Sequence, residues 1–389
     1  MTPSTRKWLS RLVKLAVCAG ALWYLSDKVT IYDRVRLAEN PDQPYALIAE
    51  RGDVLRLRDP LTREEREVAR GDLARPEQLP KGQRVLDPGL LSITRRADWS
   101  WLGWSLLAMG PSVFIMAWRL RLLLAVQGIP ISLRDVLLLT FAGNFFNFAM
   151  PGTTGGDIYK AYHVARQTAK RAEGVTVVVL DRAIGFVSFL LIAAATILLL
   201  TLTRQEIIGA YGRWVGYSMI GLMIAAGLFF SRRVRRWIRY DALLAKLPFA
   251  DKLRRIDETT FSFRFQPVAS VVSLLMTLVS HVTIVASVYA LAHGLGIHPR
   301  GGQTEGQLFV ASILATTVGF LFAAIPISIQ GFGLFEAVFY RVFVEGNWCT
   351  AAQMLALTLG LRLVQIIWSL PGIAVPWMGF ARPTRSEAS

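Results

Sequence analysis

Closely spaced cysteines and nucleotide-binding loops are both absent from this chain, and their absence excludes two classes of function. The two cysteines, Cys18 and Cys349, lie in or beside apolar segments without the spacing of a metal or redox site. No glycine-rich loop ending in Gly-Lys-Ser or Gly-Lys-Thr is present, so we expect no ATPase activity in the chain itself. The sequence therefore predicts neither a cofactor nor a metal site.

Long apolar stretches are abundant instead. The chain is 53% hydrophobic, with a mean hydropathy of +0.42. Six stretches approach the roughly 20 residues that cross a bilayer as a helix. They are residues 8–25, 99–118, 175–202, 214–230, 268–294 and 352–380. The first ends without a small-residue cleavage site, which favours a retained anchor over a signal peptide. We expect an all-α polytopic membrane protein with about six spans.

Basic residues outnumber acidic ones, 43 to 27, and their placement indicates topology rather than nucleic-acid binding. In short loops they concentrate at the N-terminus, at residues 119–134, 160–171 and 232–264, and in the tail 381–389. Cytoplasmic loops of membrane proteins carry this excess of Lys and Arg. We therefore expect an inner-membrane protein with both termini in the cytoplasm. Its basic connector, 231–267, is expected to contact the anionic membrane surface.

Two apolar segments are interrupted in the same way. In each, an aromatic-rich run is followed by a proline, two glycines and an acid. These residues are Pro151, Gly155, Gly156 and Asp157 in the first segment, and Pro326, Gly331, Gly333 and Glu336 in the second. Backbone without helical hydrogen bonds survives at membrane depth only inside protein or beside a watery cavity. Interrupted segments at matching places in two halves indicate the binding site of a transporter.

The charge pattern predicts that both interrupted segments are re-entrant hairpins. Residues 135–156 lie between two loops assigned to the cytoplasm, so this segment enters and leaves the membrane on one side. Residues 308–340 do the same from the opposite side. The chain then contains two repeats of opposite orientation, 99–230 (with a linking span) and 268–380. The alternative is a set of ordinary spans kinked at proline, which membrane helices tolerate.

The polar stretch 26–98, which follows the predicted anchor 1–25, contains 14 basic and 14 acidic residues. Segments 45–50, 54–58 and 65–69 have the pattern of short strands separated by turn residues. The stretch is too long for the loop-charge rule to apply, so its arginines do not oppose export. It predicts a small extracytoplasmic β-rich module.

Charged residues inside the apolar stretches are the candidate functional groups. Arg182 and Arg362 each lie on the span that follows an interrupted segment. Ionisable groups at this depth mark a functional site by default. A guanidinium presents a planar fork of donors that suits phosphate oxygens, and a helix starting at Gly155-Gly156 adds free N–H groups. Together these groups predict a site for a lipid phosphate, and no residue is assigned a catalytic role.

Four further charged residues complete the predicted substrate-binding set: Asp157, Asp181, Glu336 and Lys160. Asp157 and Glu336 are candidates to bind a headgroup amine, or to pair with the arginines when the site is empty. A purely structural interpretation stays open, in which Asp181–Arg182 and Asp157–Arg362 are salt bridges that lock the bundle. Asp157 also has the position of a helix N-cap after its two glycines.

Residues 144–157, 181–185 and 326–336 together resemble the membrane region of lysylphosphatidylglycerol synthase/flippase proteins, and the resemblance extends over roughly residues 99–380. It implies a flippase-like domain with two re-entrant hairpins, associated with translocating charged phospholipids to the outer leaflet. The family's signatures fall on the two proline, glycine and acid sets named above, and its arginine falls on Arg182. The second set is looser than in many relatives, with Gly331 and Gly333 separated by one residue. No counterpart of the namesakes' aminoacyl-transfer domain is found, so we do not expect the chain to load lysine onto a lipid.

The favoured function is a lipid translocase, flippase or scramblase-like, that moves a charged phospholipid between leaflets and is not an enzyme. One alternative is transport of polyprenyl-phosphate-linked lipid carriers, which pose the same problem of a phosphate with an apolar tail. Another is a membrane glycosyltransferase, against which residues 26–98 contain no Asp-x-Asp pair. The last is a non-transporting assembly factor. A phosphate-bearing lipid is thus the expected partner, nucleic acid is not, and a homo-oligomer stays open.

Overall fold

The computed structural model describes most of the chain, in seven parts. They are residues 30–60, 62–79, 85–149, 155–202, 221, 266–323 and 331–378. The predicted anchor, the linking span other than Gly221, the connector up to residue 265 and the tail lie outside them. Pro151 and Pro326 lie outside them as well.

Strands from the first three described parts form a five-stranded antiparallel sheet. Its strands are β1 (Arg34–Leu37), β2 (Asn40–Arg51), β3 (Val54–Arg58), β4 (Glu65–Ala69) and β5 (Leu86–Asp87). Their spatial order is β4-β3-β2-β1-β5. Leu55 and Leu57 alternate with exposed residues along β3 and pack on Tyr45, which gives the sheet one apolar face. The predicted β-rich module is confirmed as a small sheet.

The turn between β2 and β3 depends on Gly52. Its φ of +59° is a left-handed conformation that glycine adopts without steric cost. The turn brings Arg51 opposite Val54, so the two strands pair from their shared end. Because this turn fixes the register, Leu55 and Leu57 both point to the buried face.

The rest of the described chain is mainly helical and contains ten α-helices. They are α1 (Leu90–Arg95), α2 (Trp99–Val126), α3 (Leu133–Ala149), α4 (Gly155–Gln167), α5 (Arg171–Leu202), α6 (Pro267–Gly294), α7 (Glu305–Ala323), α8 (Leu334–Phe339), α9 (Ala351–Ser369) and α10 (Pro371–Met378). Within the described ranges, five segments are long and apolar enough to cross a membrane: α2, α5, α6, α7 and the run from α9 through α10. The protein is a mostly helical, multi-pass membrane protein.

The helices form two sets with the same order and matching neighbours. The first set is α2 to α5, and the second is α6 to α10. Helices α2 and α6, the first of each set, pack along each other more extensively than any other described pair. In the first set α3 packs on α4 and on α9–α10, while in the second its counterpart α7 packs on α8 and on α5. The last helix of each set thus packs on the second helix of the other set.

A close approach of two glycines holds α3 and α4 together as an antiparallel pair. A Cβ on Gly156 would collide with the carbonyl oxygen of Gly143, and the Gly156 N–H donates a 2.8 Å hydrogen bond to Asn147 Oδ1. In the second set, a Cβ on Gly319 of α7 would lie 2.9 Å from the Phe335 ring of α8. The predicted proline turns lie outside the described residues. The helix after the first of them is longer than expected, since α4 continues to Gln167.

Two segments predicted as cytoplasmic loops are instead partly helical. Helix α2 continues to Val126 and includes Arg119, which the charge pattern assigns to the loop 119–134. Helix α4 likewise includes Lys160, the first residue of the predicted loop 160–171. Arg119 can lie buried within the bundle because an acid on α5 neutralises its charge.

We expect Gly156→Ala to destabilise the bundle, because the added methyl group meets backbone rather than a side chain that can rotate away. Overpacking of this kind costs about 1–3 kcal/mol. Thermal unfolding of the detergent-solubilised protein measures the loss. The matched control is Gly103→Ala on α2, where a Cβ meets nothing within 4 Å. Equal unfolding temperatures for the two variants would contradict the close packing of α3 on α4.

Candidate functional site

A cavity of about 350 Å³ lies between the two helix sets, and all of α2 to α9 contribute to its lining. Much of the wall is apolar and aromatic, with Phe148, Phe186, Phe189, Phe320 and Phe335. The rest is polar or charged. Five of the six predicted substrate-binding residues line the cavity: Asp157, Lys160, Asp181, Arg182 and Arg362. The sixth, Glu336, lies directly behind it through its contact with Arg362.

The most deeply buried ion pair joins three helices. The Arg119 side chain on α2 is 2% exposed, and its Nε donates to Asp181 Oδ1 on α5 at 2.8 Å. A second guanidinium nitrogen donates to Thr277 Oγ1 on α6 at 2.6 Å, and the third donates to the backbone oxygen of Asp181 at 2.9 Å. All three nitrogens of the guanidinium are thus used by protein. This arrangement is that of a structural clasp between α2, α5 and α6.

Two further ion pairs occupy matching positions in the two helix sets. Asp157, the third residue of α4, pairs with Arg182 on α5. Glu336, the third residue of α8, pairs with Arg362 on α9 at 2.7 Å. Acids in the first turn also interact favourably with the helix dipole. Each pair fastens the second arm of a helical hairpin to the helix that follows it.

The surroundings of the two matched pairs differ. Glu336 is 1% exposed, and it also accepts a 2.7 Å hydrogen bond from Gly333 N–H. The Arg362 guanidinium lies 3.9 Å from the centre of the Phe332 ring, in a cation–π contact. The Arg182 and Asp157 side chains are more open, at 35% and 26% exposed. An incoming anion therefore reaches Arg182 more readily than Arg362.

The pairing of Asp157 and Glu336 with the two arginines was one of the alternatives drawn from the sequence, and it is present in the structure. The other alternative, a pair of salt bridges that lock the bundle, is wrong in its partners. Asp181 pairs with Arg119, and Asp157 with Arg182, in place of the expected Asp181–Arg182 and Asp157–Arg362. Consecutive residues on a helix point about 100° apart, so neighbours such as Asp181 and Arg182 face different helices. The N-cap interpretation of Asp157 is also wrong by position, since α4 begins two residues earlier.

Lys160 is the cavity-lining cation that lacks an ion-pair partner within the described parts of the chain. It is 6% exposed, and its carbon stem lies against Gly143 of α3, where any larger residue would displace it. At the matching place in the second set, Phe339 lies against Gly319 of α7. The lining holds four cations, Lys160 and three arginines, but only two carboxylates. The cavity is therefore electropositive on the side of α4.

Uncharged polar groups extend the wall beside Arg119. Ser280 and His281 of α6 are both buried and line the cavity. The His281 ring stacks on Phe189 with the ring centroids 4.0 Å apart. The Ser280 hydroxyl has no hydrogen-bond partner among the described residues. Buried polar groups without partners are costly, so this wall suits a polar ligand or ordered water.

The comparison with protein families agrees with this arrangement. Residues 88–372 match the model for the lysylphosphatidylglycerol synthase TM region. The chain belongs to this family. The match includes every helix that lines the cavity and the three ion pairs Arg119–Asp181, Asp157–Arg182 and Glu336–Arg362. No match to a curated protein was found. The family suspected from the sequence is thus confirmed, and the match begins slightly earlier than the resemblance suggested.

Sequence reasoning missed Arg119, although a signal was present. It lies directly after an apolar stretch that ends in Trp118, and Arg121 follows it, so the two arginines together have the appearance of a loop. Of the two, Arg121 is exposed while Arg119 is buried. The helical period could have separated them, because Arg119 lies on the same face as the buried Ser105 and Ser112, at intervals of seven residues.

We expect Arg119→Met to destabilise the protein strongly, because it leaves the Asp181 carboxylate buried without its partner. Breaking a buried pair from one side costs about 3–5 kcal/mol. The double variant Arg119→Met/Asp181→Leu should recover most of the lost unfolding temperature. The control is Arg341→Met, which breaks the exposed pair with Glu345 and should cost under about 1 kcal/mol. A double variant no more stable than Arg119→Met would contradict the clasp.

Proposed function

We propose that this family member is a lipid translocase, a flippase or scramblase-like protein that moves a phosphate-bearing phospholipid between leaflets. The proposal rests on an electropositive cavity whose wall includes several aromatic side chains, inside a bundle of apolar helices. Such a wall accommodates the glycerol and upper acyl region of a lipid, while the cations hold its phosphate. No catalytic residue is part of the proposal.

The proposed membrane arrangement uses the two hairpins. The pairs α3–α4 and α7–α8 enter the bilayer from opposite faces and turn near its centre, as re-entrant hairpins of an inverted repeat. Both chain termini then lie in the cytoplasm of an inner-membrane protein, and the β-rich module lies outside. The matching order and neighbours of the two helix sets support this arrangement. So does the repetition of the acid–arginine pair at the start of each second arm.

Lys160 is the first contact that we propose for the lipid phosphate. A buried ammonium group without a carboxylate partner is costly, and an anion in the cavity offsets that cost. Arg182 is the second contact, because its pair with Asp157 is open enough for a phosphate to compete with the carboxylate. When the phosphate takes Arg182, Asp157 is released to accept a headgroup amine. The Glu336–Arg362 pair is more enclosed and completes the positive wall.

The exchange of partners at Arg182 provides a route for movement. In the empty state the Asp157–Arg182 pair fastens α4 to α5. A phosphate that replaces Asp157 loosens this fastening, so the hairpin α3–α4 becomes free to shift against α5. In this proposal the Arg119–Asp181 clasp keeps its hydrogen bonds meanwhile, because all three guanidinium nitrogens already donate to protein atoms. The lipid thus changes the contacts of one hairpin without dissolving the bundle.

Leaflet exchange in proteoliposomes tests this function, with fluorescent anionic phospholipids and, in a parallel arm, polyprenyl phosphate. We expect exchange by the natural sequence, and at least about tenfold slower exchange by Lys160→Gln, since a hydrogen bond to a charged group contributes about 1.5–3 kcal/mol. Arg166→Gln removes the same charge from an exposed site on the same helix and should leave the rate unchanged.

Each arm of this experiment has a distinct meaning. Exchange of the polyprenyl phosphate alone would assign the protein to lipid-linked carriers instead of phospholipids. No exchange of any phosphate-bearing lipid would contradict the transporter proposal and favour an assembly factor. Equal rates for Lys160→Gln and Arg166→Gln would remove Lys160 from the site.

A further inference from the structure

Two histidines and a glutamate converge at the connection between α6 and α7. His293 lies in the last turn of α6, His298 lies in the connection, and Glu305 is the first residue of α7. One ligand atom from each lies within 4.8 Å of the other two. None of the three lines the charged cavity. This cluster is therefore separate from the proposed lipid site.

The hydrogen bonds of His293 determine which of its nitrogens faces the glutamate. His293 Nδ1 lies 3.1 Å from the backbone oxygen of Tyr289, which can only accept, so Nδ1 carries the proton. The other nitrogen, Nε2, lies 3.2 Å from Glu305 Oε2. When the His293 ring is neutral, its Nε2 and Glu305 Oε2 are both hydrogen-bond acceptors, so the two atoms would repel each other. A cation between them, either a proton or a metal ion, is needed to hold them at this distance.

The surroundings favour a metal ion over a proton alone. A backbone carbonyl that fixes the second nitrogen of a histidine is the usual support of a metal ligand. The His298 ring, with its centroid 5.1 Å from that of His293, brings a second imidazole that a lone ion pair does not require. The Tyr289 hydroxyl donates a 2.7 Å hydrogen bond to Glu305 Oε2, and this bond orients the carboxylate.

The framework around the cluster is rigid. Gln353 on α9 donates from its amide to the backbone oxygens of Leu295 and Gly296, both at 3.2 Å. The Trp101 ring of α2 lies 4.9 Å from the His293 ring. These contacts hold the start of the connection while the exposed His298 and Glu305 remain free to adjust. Such a site is partly preorganised for its ligand.

We propose that His293, His298 and Glu305 bind a zinc-like divalent metal ion. Two imidazole nitrogens and one carboxylate oxygen are a ligand set that zinc uses, with a fourth position open to water. Zinc–ligand bonds of about 2.0–2.2 Å at tetrahedral angles place ligand atoms roughly 3.3 Å apart. The His293–Glu305 distance already fits, and an exposed His298 has to approach by only about 1.5 Å to complete the set. The bound ion fastens the end of α6 to the start of α7.

Zinc titration of the full-length, detergent-solubilised protein tests the proposal, after removal of any histidine tag and of bound metal by chelation. Competition with a zinc-binding dye measures affinity, and thermal unfolding measures stabilisation. We expect one zinc per chain, and at least about tenfold weaker binding in His298→Ala and Glu305→Gln, since even supporting residues of metal sites contribute that much. Zinc should also raise the unfolding temperature of the natural sequence but not that of these two variants.

His163→Ala is the matched control, because it removes a histidine far from the cluster in sequence and should bind zinc as the natural sequence does. Both variants of the cluster change exposed side chains, so loss of folding does not confuse the result. Zinc binding by the natural sequence no tighter than by His298→Ala and Glu305→Gln would overturn the proposal. The cluster would then be an imidazolium–carboxylate ion pair alone.

Discussion

Neutralisation of charge inside apolar helices is the constraint on which the rest of the structure depends. An unpaired charge in such surroundings costs several kcal/mol, so Arg119 requires an acid within reach and finds Asp181. That one pair sets α2, α5 and α6 side by side. The two matched pairs then place the second arms of the hairpins against α5 and α9. The cavity lies between the helices that these three ion pairs hold together.

The two helix sets match in order and in their neighbouring helices, and one difference between them lies at the proposed site. In the first set Lys160 packs on Gly143, whereas in the second set two phenylalanines, Phe335 and Phe339, pack on Gly319. Because the first set places a lysine at this position and the second set places phenylalanines, the cavity is electropositive at the α4 end. Under the proposed function, the phosphate meets the α4 side first and the second set supplies the mostly apolar remainder of the wall.

Local sequence patterns predicted local structure well and long-range pairing poorly. The bounds of β3 and β4 follow from alternation and turn residues, and the interrupted segments follow from proline and glycine beside apolar runs. The family and the charged residues of the cavity were also foreseen. The pairing of Asp157 and Glu336 with the two arginines was one of two alternatives, and the partner of Asp181 was not foreseen, because a one-dimensional pattern does not say which face of a helix meets which neighbour. The meeting of His293 with Glu305 across the α6–α7 connection was missed for the same reason.

Photo-crosslinking in membranes tests most directly whether a phospholipid enters the cavity. The probe is an anionic phospholipid with a diazirine close to its glycerol, and mass spectrometry locates the adducts. We expect adducts on cavity residues such as Phe148 and Phe186, and we expect the Lys160→Gln variant to lack these adducts. Adducts confined to the exposed outer residues Trp104 and Leu107, in both proteins alike, would contradict this expectation.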